Sequence, residues 1–293
     1  MAEVVQTNGS SPEPSPKPSL GPSQTVLSSF DAVGTRFARD YLGTYYSAEV
    51  PDYDEQIVMA FCARHYKTVS PGAELLELGA GPTIHHVMSA APVVSKIHLT
   101  DYLQGCIDEI DLWRSQKPEA HNWNAFTRFA LNSEGLPSDD LSIQQRESDL
   151  RQKIASIGLC DVRKSPPLST PRQFELVGCF YTAEQATMAT EEMPQEKRHE
   201  IWNQIMDNIC STVAPGGLLL MSGVRDSDFY VTYDAVTHAA LRHPLPRLLE
   251  SDYAAALIRN GFDMSRTVVE AAPLVGQDAE GLTGVILVAA RKA

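Results

Sequence analysis

From residue 73 onward, short apolar runs alternate with longer segments of helical period, and this alternation restricts the possible folds more than any other feature. "AELLELGA" (73–80), "KIHLTDY" (96–102), "LCDV" (159–162), "FELVGCFY" (174–181), "LLLMSGV" (218–224) and "GVILVAARK" (284–292) read as strands. "TIHHVMSAA" (83–91), "CIDEIDLWRSQ" (106–116), "SDDLSIQQRESDLRQKIASIG" (138–158), "QEKRHEIWNQIMDNICSTV" (195–213) and "SDYAAALIRNG" (251–261) read as helices. Strand and helix in alternation fold as a mostly parallel sheet covered on both faces, so the expected class is α/β.

The first 25 residues are rich in Ser, Pro, Gly and Glu. Such a segment buries too little apolar surface to offset its ordering entropy, and a disordered tail is expected. Residues 26–293 form the expected domain, opening with a helix over 52–67 whose apolar residues Ile57, Val58, Phe61, Cys62 and Tyr66 fall at helical spacing.

Ligands of open parallel sheets bind beyond the carboxyl ends of the strands, so residues just past those ends are the candidate site. The first strand carries Glu77 and delivers Gly79, Gly81 and Thr83; the second delivers Asp101 and Tyr102. The third delivers Asp161 and Val162; the fourth delivers Cys179, Phe180 and Tyr181. Glycines admit a ligand close to the backbone. Asp101, 20 residues beyond Gly81, suits the two hydroxyls of a ribose. It equally suits capping of the next helix. Asp161 suits an adenine amino group. A dinucleotide would want a third glycine where Ile84 stands, and Pro82 removes an amide donor. A nucleoside without a pyrophosphate fits better, and S-adenosylmethionine (SAM) is the expected cofactor.

Composition narrows the partners. The net charge of −13 argues against nucleic acid. No run of 18 uncharged apolar residues predicts a membrane span, and no basic-then-apolar leader is visible, so a cytoplasmic protein is expected. Five dispersed cysteines without C-x-x-C read as reduced thiols rather than a disulfide frame or zinc site. His85 and His86 are adjacent, a spacing that makes two helical side chains diverge, so no metal site is expected.

The motifs "RDYLGTYY" (39–46), "LLELGAGPT" (75–83), "LTDY" (99–102), "CDV" (160–162) and "APGGLLLM" (214–221) together resemble the nicotinamide, phenylethanolamine and indolethylamine N-methyltransferases. The resemblance implies a Rossmann-like class I methyltransferase with a seven-stranded sheet and an N-terminal helical lid over about 30–68. It implies that Tyr41 and Tyr46 close over SAM, with Tyr45 near the substrate. It assigns Gly79, Thr83 and Cys179 to the methionine end, with Glu77 and Gly81 also among the expected cofactor-binding residues. Asp101 and Tyr102 are assigned to ribose and adenine, and Asp161 and Val162 to the adenine edge. Cys106 stands where the family has an asparagine beside the ribose acid. Where the family has an acid that orients the substrate nitrogen, Ser222 stands here, and Ala183 replaces a second acid. Glu184, Asp226 and Asp228 are the candidate replacements, and Tyr45, Tyr181, Phe229 and Tyr230 the candidate aromatic pocket. Of these, Tyr45, Glu184 and Tyr230 are the expected catalytic residues.

The expected activity is methyl transfer from SAM to a nitrogen of a small molecule by a monomer, leaving S-adenosylhomocysteine. S- or O-methylation, a nucleotide-binding oxidoreductase and a non-catalytic SAM-binding protein remain as alternatives.

Overall fold

The structure is a computed structural model that describes residues 37–187, 193–233, 240–275 and 281–293. The expected tail over residues 1–25 lies outside them.

Seven strands form one sheet in the order β3-β2-β1-β4-β5-β9-β8, and β6 and β7 form a separate pair. Strands β1 (Glu74–Leu78), β2 (Lys96–Asp101), β3 (Ile154–Leu159), β4 (Phe174–Phe180) and β5 (Val213–Val224) run parallel. Strand β9 (Gly284–Lys292) inserts antiparallel between β5 and β8 (Phe262–Pro273). β6 (Phe229–Tyr233) pairs antiparallel with β7 (Ala240–Pro244).

Strand alternation divides the core in two. Leu75, Val285, Leu287 and Ala289 face one apolar cluster, while Leu76, Leu78, Ile286, Val288 and Ala290 face the other. The first cluster also holds side chains of α2 (Tyr53–Tyr66), α3 (Gln104–Arg114), α4 (Asn124–Glu134) and α5 (Asp140–Lys153). The second holds those of α6 (Gln195–Ser211) and α7 (Glu250–Arg259). Burial on both faces explains why the central strands read as continuous apolar runs. Sequence also sets several helix ends. Asp139 accepts the Ser142 N–H at 2.9 Å to open α5, and Gly135, at φ 74°, closes α4.

The structure corrects several local expectations. The segment after the glycines is a short 3-10 helix, His85–Ala90, rather than an α-helix. Strand β3 occupies Ile154–Leu159, which the sequence pattern assigns to the end of the preceding helix; "LCDV" lies at and past its end, Cys160 making only an isolated bridge to Leu168. β5 starts five residues earlier than expected, because a register shift between Phe174 and Leu176 absorbs the Pro215-Gly216-Gly217 stretch. α4, the β6–β7 hairpin and β8 are not among the expected elements. Among the described residues, no helix is long and apolar enough to cross a membrane.

Candidate active site

Strand order reverses between β1 and β4, and there the loops after β1, β2 and β4 part to leave a crevice at the carboxyl edge of the sheet. α1 (Phe37–Tyr45) borders it through Phe37 and Tyr41, and the β6–β7 hairpin through Tyr230 and His243.

Gly79 and Gly81 have different tasks. Both hold positive φ, 73° and 62°. At Gly79 an added Cβ would lie 2.3 Å from Thr182 side-chain atoms. The bare backbone there makes room for Thr182, whose hydroxyl donates to Gly79 O at 3.0 Å, and Gly79 itself lines the crevice. At Gly81 an added Cβ would meet only Thr83 Cγ2, at 3.9 Å, so that side of the loop is open. Gly81 N–H donates to Asp101 Oδ2 at 2.8 Å, and Leu103 N–H to Oδ1 at 2.8 Å. Asp101 thus ties the β1 and β2 loops together while lining the crevice. Burial raises its carboxyl above the ordinary value, and the two amides work against that rise. The Cys106 side chain lies beside Asp101 and also lines the crevice. Thr83 lines it too, with its hydroxyl given to Ala80 O at 2.7 Å.

The far end is walled by Tyr102, Asp161, Val162 and Arg163. Arg163 grips Asp161 with Nε to Oδ1 at 2.8 Å and Nη2 to Oδ2 at 3.1 Å, and its guanidinium lies 4.4 Å from the Tyr102 ring centroid. Both carboxylate oxygens of Asp161 therefore already accept from the guanidinium.

Near α1 the aromatic rings cluster, with Phe37 stacked on Tyr41, and Tyr45 and Tyr46 tilted against it. Tyr41 lies 5.6 Å from both Phe37 and Tyr46, and 4.9 Å from Tyr45. Tyr41 and Tyr46 line the crevice; Tyr45 packs behind them and is not among the described lining residues. Tyr46 OH donates to Glu55 Oε1 at 2.9 Å. Glu55 begins a buried polar chain: its Oε2 is 2.8 Å from His85 Nε2 and 3.5 Å from His86 Nε2, and His86 Nδ1 is 3.1 Å from Glu77 Oε1. Burial alone would lower the His86 imidazole, but the carboxylates of Glu55 and Glu77 beside it outweigh burial and lift it to about 9. Burial lowers His85. The two imidazoles do not diverge as expected; their centroids are 3.9 Å apart. Glu77 serves this chain and does not reach the described crevice lining.

On the other side Tyr181, at φ 50°, and Tyr230 line the crevice, with Tyr230 stacked on His243 at 4.6 Å. The strained Tyr181 backbone, held by its N–H to Ser222 O at 3.0 Å, turns the chain sharply at the end of β4. The expected acids lie elsewhere. Glu184 is fully buried behind the crevice, with Oε1 accepting the Val224 N–H at 3.0 Å; burial raises its carboxyl to about 7. Asp226 is paired with Arg247 at 3.2 Å and Asp228 with Arg242 at 3.7 Å, all four at the surface. Ser222 is buried in β5. Cys179 points into the second apolar cluster, because its alternation in β4 is opposite to that of Phe180. Glu55, Arg163, Thr182 and His243 escape sequence reasoning. None belongs to a spaced motif, although Glu55, an acid on the apolar side of the 52–67 helix, is a visible anomaly.

The sheet order, its one reversed strand and the crevice at its switch point define a Rossmann-like class I methyltransferase fold. The NNMT/PNMT/TEMT family model matches residues 25–293, and the chain belongs to that family. Mus musculus indolethylamine N-methyltransferase is 34% identical over 149 residues, which are 49% of this chain and 55% of that protein. Macaca mulatta phenylethanolamine N-methyltransferase is 26% identical over 66% of this chain and 64% of its own. Homo sapiens nicotinamide N-methyltransferase is 27% identical over 66% of this chain and 71% of its own. The chain thus spans a little over half the length of the first of these relatives and just under two thirds of the second.

Proposed function

We propose that the chain is a SAM-dependent small-molecule methyltransferase that methylates nitrogen in a pyridine-like ring or an amine. One observation carries the cofactor reading: Asp101 lines the crevice and holds the Gly81 amide at 2.8 Å, so the ribose acid and the open glycine turn form one cradle. The residues fit a nucleoside-bearing ligand, since a Cβ at Gly81 would stand in open space beside it. Asp101 would accept from ribose, Val162 and Tyr102 would flank the base, and Tyr41 and Tyr46 would cover the amino-acid end. When bound, SAM supplies a methyl group activated by its sulfonium.

The chain's own part is alignment and exclusion of water. Helices α1 and α2 act as the lid, and Tyr181 and Tyr230 present aromatic faces to a flat substrate. The acids that line the crevice among the described residues are Glu55, Asp101 and Asp161, and each already accepts hydrogen bonds within the protein. A nucleophile that must first lose a proton is therefore poorly served, and a nitrogen with a free lone pair is favoured. The same observation supports a second reading, transfer to a thiolate, which also arrives without a proton. The reading includes a monomer in a reducing cytoplasm, in keeping with five buried free cysteines, and no nucleic-acid partner.

Release of S-adenosylhomocysteine is the test, with SAM and a panel of pyridines, amines, thiols and phenols. Turnover on pyridines or amines supports the proposal, and turnover on thiols alone replaces it with the second reading. Failure of S-adenosylhomocysteine to bind in calorimetry overturns the cofactor assignment.

A further inference from the structure

A cluster of metal-ligand side chains stands beside the crevice and is not needed for the function proposed above. We propose that Glu55, His85 and His86 form a site for one divalent transition-metal ion of the zinc class. One potential ligand atom from each residue lies within 4.8 Å of the other two, and all three residues are buried. Ligands about 2.0–2.1 Å from a tetrahedral ion sit roughly 3.3 Å apart. Here Glu55 Oε2 is 2.8 Å from His85 Nε2 and 3.5 Å from His86 Nε2, distances that bracket that value.

The surroundings of the cluster match a metal centre in two further respects. Glu77 Oε1 engages His86 Nδ1 at 3.1 Å, which directs Nε2 of the same ring toward Glu55. A carboxylate on the remote nitrogen of a ligating imidazole is the usual way a protein orients such a ligand. His86 Nε2, the atom that faces the cluster, is buried with Glu55 Oε2 3.5 Å away, and an ion bound there displaces the proton that the two carboxylates hold on this ring. Two imidazoles and a carboxylate select zinc-class ions over magnesium or calcium, whose ligands are oxygens. Three protein ligands leave a coordination position open, and because Glu55 and His86 also line the crevice, it opens on that side. The two carboxylates, Glu55 and Glu77, match the charge of a divalent ion.

The site arises from three separate elements: α2 supplies Glu55, β1 supplies Glu77, and the 3-10 helix supplies both histidines. Ile84, at φ −136° and ψ 0°, opens the 3-10 helix that carries the histidines.

The test uses the full chain freed of metal by chelation, with no SAM present. Zn2+ is titrated by calorimetry, and Co2+ by its visible absorption, which reports ligand type and geometry. The expected result is one ion per chain, a tetrahedral Co2+ spectrum, and at least a roughly 100-fold loss of Zn2+ affinity in His85→Asn and in His86→Asn. Glu77→Gln is expected to lose about 10- to 100-fold, as for other residues that orient a ligand. His199→Asn, on α6, is expected to bind as wild type. Absence of saturable one-to-one uptake by wild type would mean that the cluster is only a hydrogen-bonded network, and overturns the proposal. So does undiminished Zn2+ affinity in His86→Asn. If a histidine variant does not fold, X-ray absorption of Zn2+-loaded wild type decides: two imidazole ligands support the site, and fewer overturn it.

Discussion

The side chain of Thr182 fills the space that a side chain at position 79 would need: an added Cβ at Gly79 falls 2.3 Å from Thr182 Oγ1 and Cγ2, and the hydroxyl bonds Gly79 O at 3.0 Å. The loop after β1 and the turn after β4 therefore meet backbone against side chain at the floor of the crevice.

Gly79→Ala should accordingly destabilise the fold on two counts. Positive φ costs about 1–2 kcal/mol for a non-glycine residue. Overpacking against Thr182 adds about 1–3 kcal/mol. Urea midpoints of Gly79→Ala and of Gly79→Ala/Thr182→Gly check this. The double variant should recover the overpacking part and keep the backbone part; no recovery would mean that Thr182 is not the obstacle.

Asp101→Ala should lose S-adenosylhomocysteine affinity at least tenfold, about 1.4 kcal/mol. It should also lower stability by roughly 1–3 kcal/mol, because the amides of Gly81 and Leu103 lose their shared acceptor in a buried place. Calorimetry and denaturant unfolding separate the two effects. Unchanged affinity in a folded variant would remove Asp101 from the cofactor site.

Glu184 makes stability depend on pH. Burial lifts its carboxyl from 4.5 to about 7 in the fold. The unfolded chain releases this proton first, so the protonated group's contribution is fully present below about pH 4.5 and is lost as pH rises through about 7. Each pH step of one between those two values weakens the fold by about 1.4 kcal/mol, which makes the whole loss about 3 kcal/mol. Glu184→Gln keeps an acceptor for the Val224 amide and cannot ionise. Its stability relative to wild type should rise by that amount across this window in urea unfolding, and a constant difference would show that Glu184 titrates normally.

Tyr46→Phe removes the hydroxyl that donates to Glu55 Oε1 at 2.9 Å within the protein interior. Leaving a buried carboxylate one donor short costs about 1–3 kcal/mol. Thermal unfolding should show the loss. A melting temperature equal to wild type would mean that α1 is not fastened to α2 through this bond.

Much of the site is legible in the sequence because a parallel sheet converts order along the chain into place in space. Once "LLELG", "HLTD" and "FELVGCFY" are read as neighbouring strands, Gly81, Asp101 and Tyr181 have to converge at their ends. What escapes lacks a periodic signature. β8 alternates poorly because it is the edge strand, with Met264 and Val268 exposed, and it carries Glu270 opposite Leu287. α4 follows α3 after a short break, and its apolar residues Phe126, Ala130 and Leu131 give too short a pattern to separate from its surroundings. The inward face of Cys179 and the turned-away carboxylate of Glu184 depend on one-residue register in β4 and on the sharp backbone at Tyr181, which pattern alone does not resolve. The joining of Glu55 to His85 and His86 is a long-range contact between elements whose local sequences do not announce it.

The β6–β7 pair follows β5 and, among the described residues, shares no hydrogen-bonded ladder with the seven-stranded sheet. Tyr230 and His243, opposite each other in that pair, meet the crevice from outside the architecture that builds its floor. Mutation can therefore reshape this panel without forcing a strand of the main sheet to slip. The wall that carries Tyr230 and His243 is thus set by a different ladder from the one that places Gly81 and Asp101, so a change in one leaves the register of the other intact.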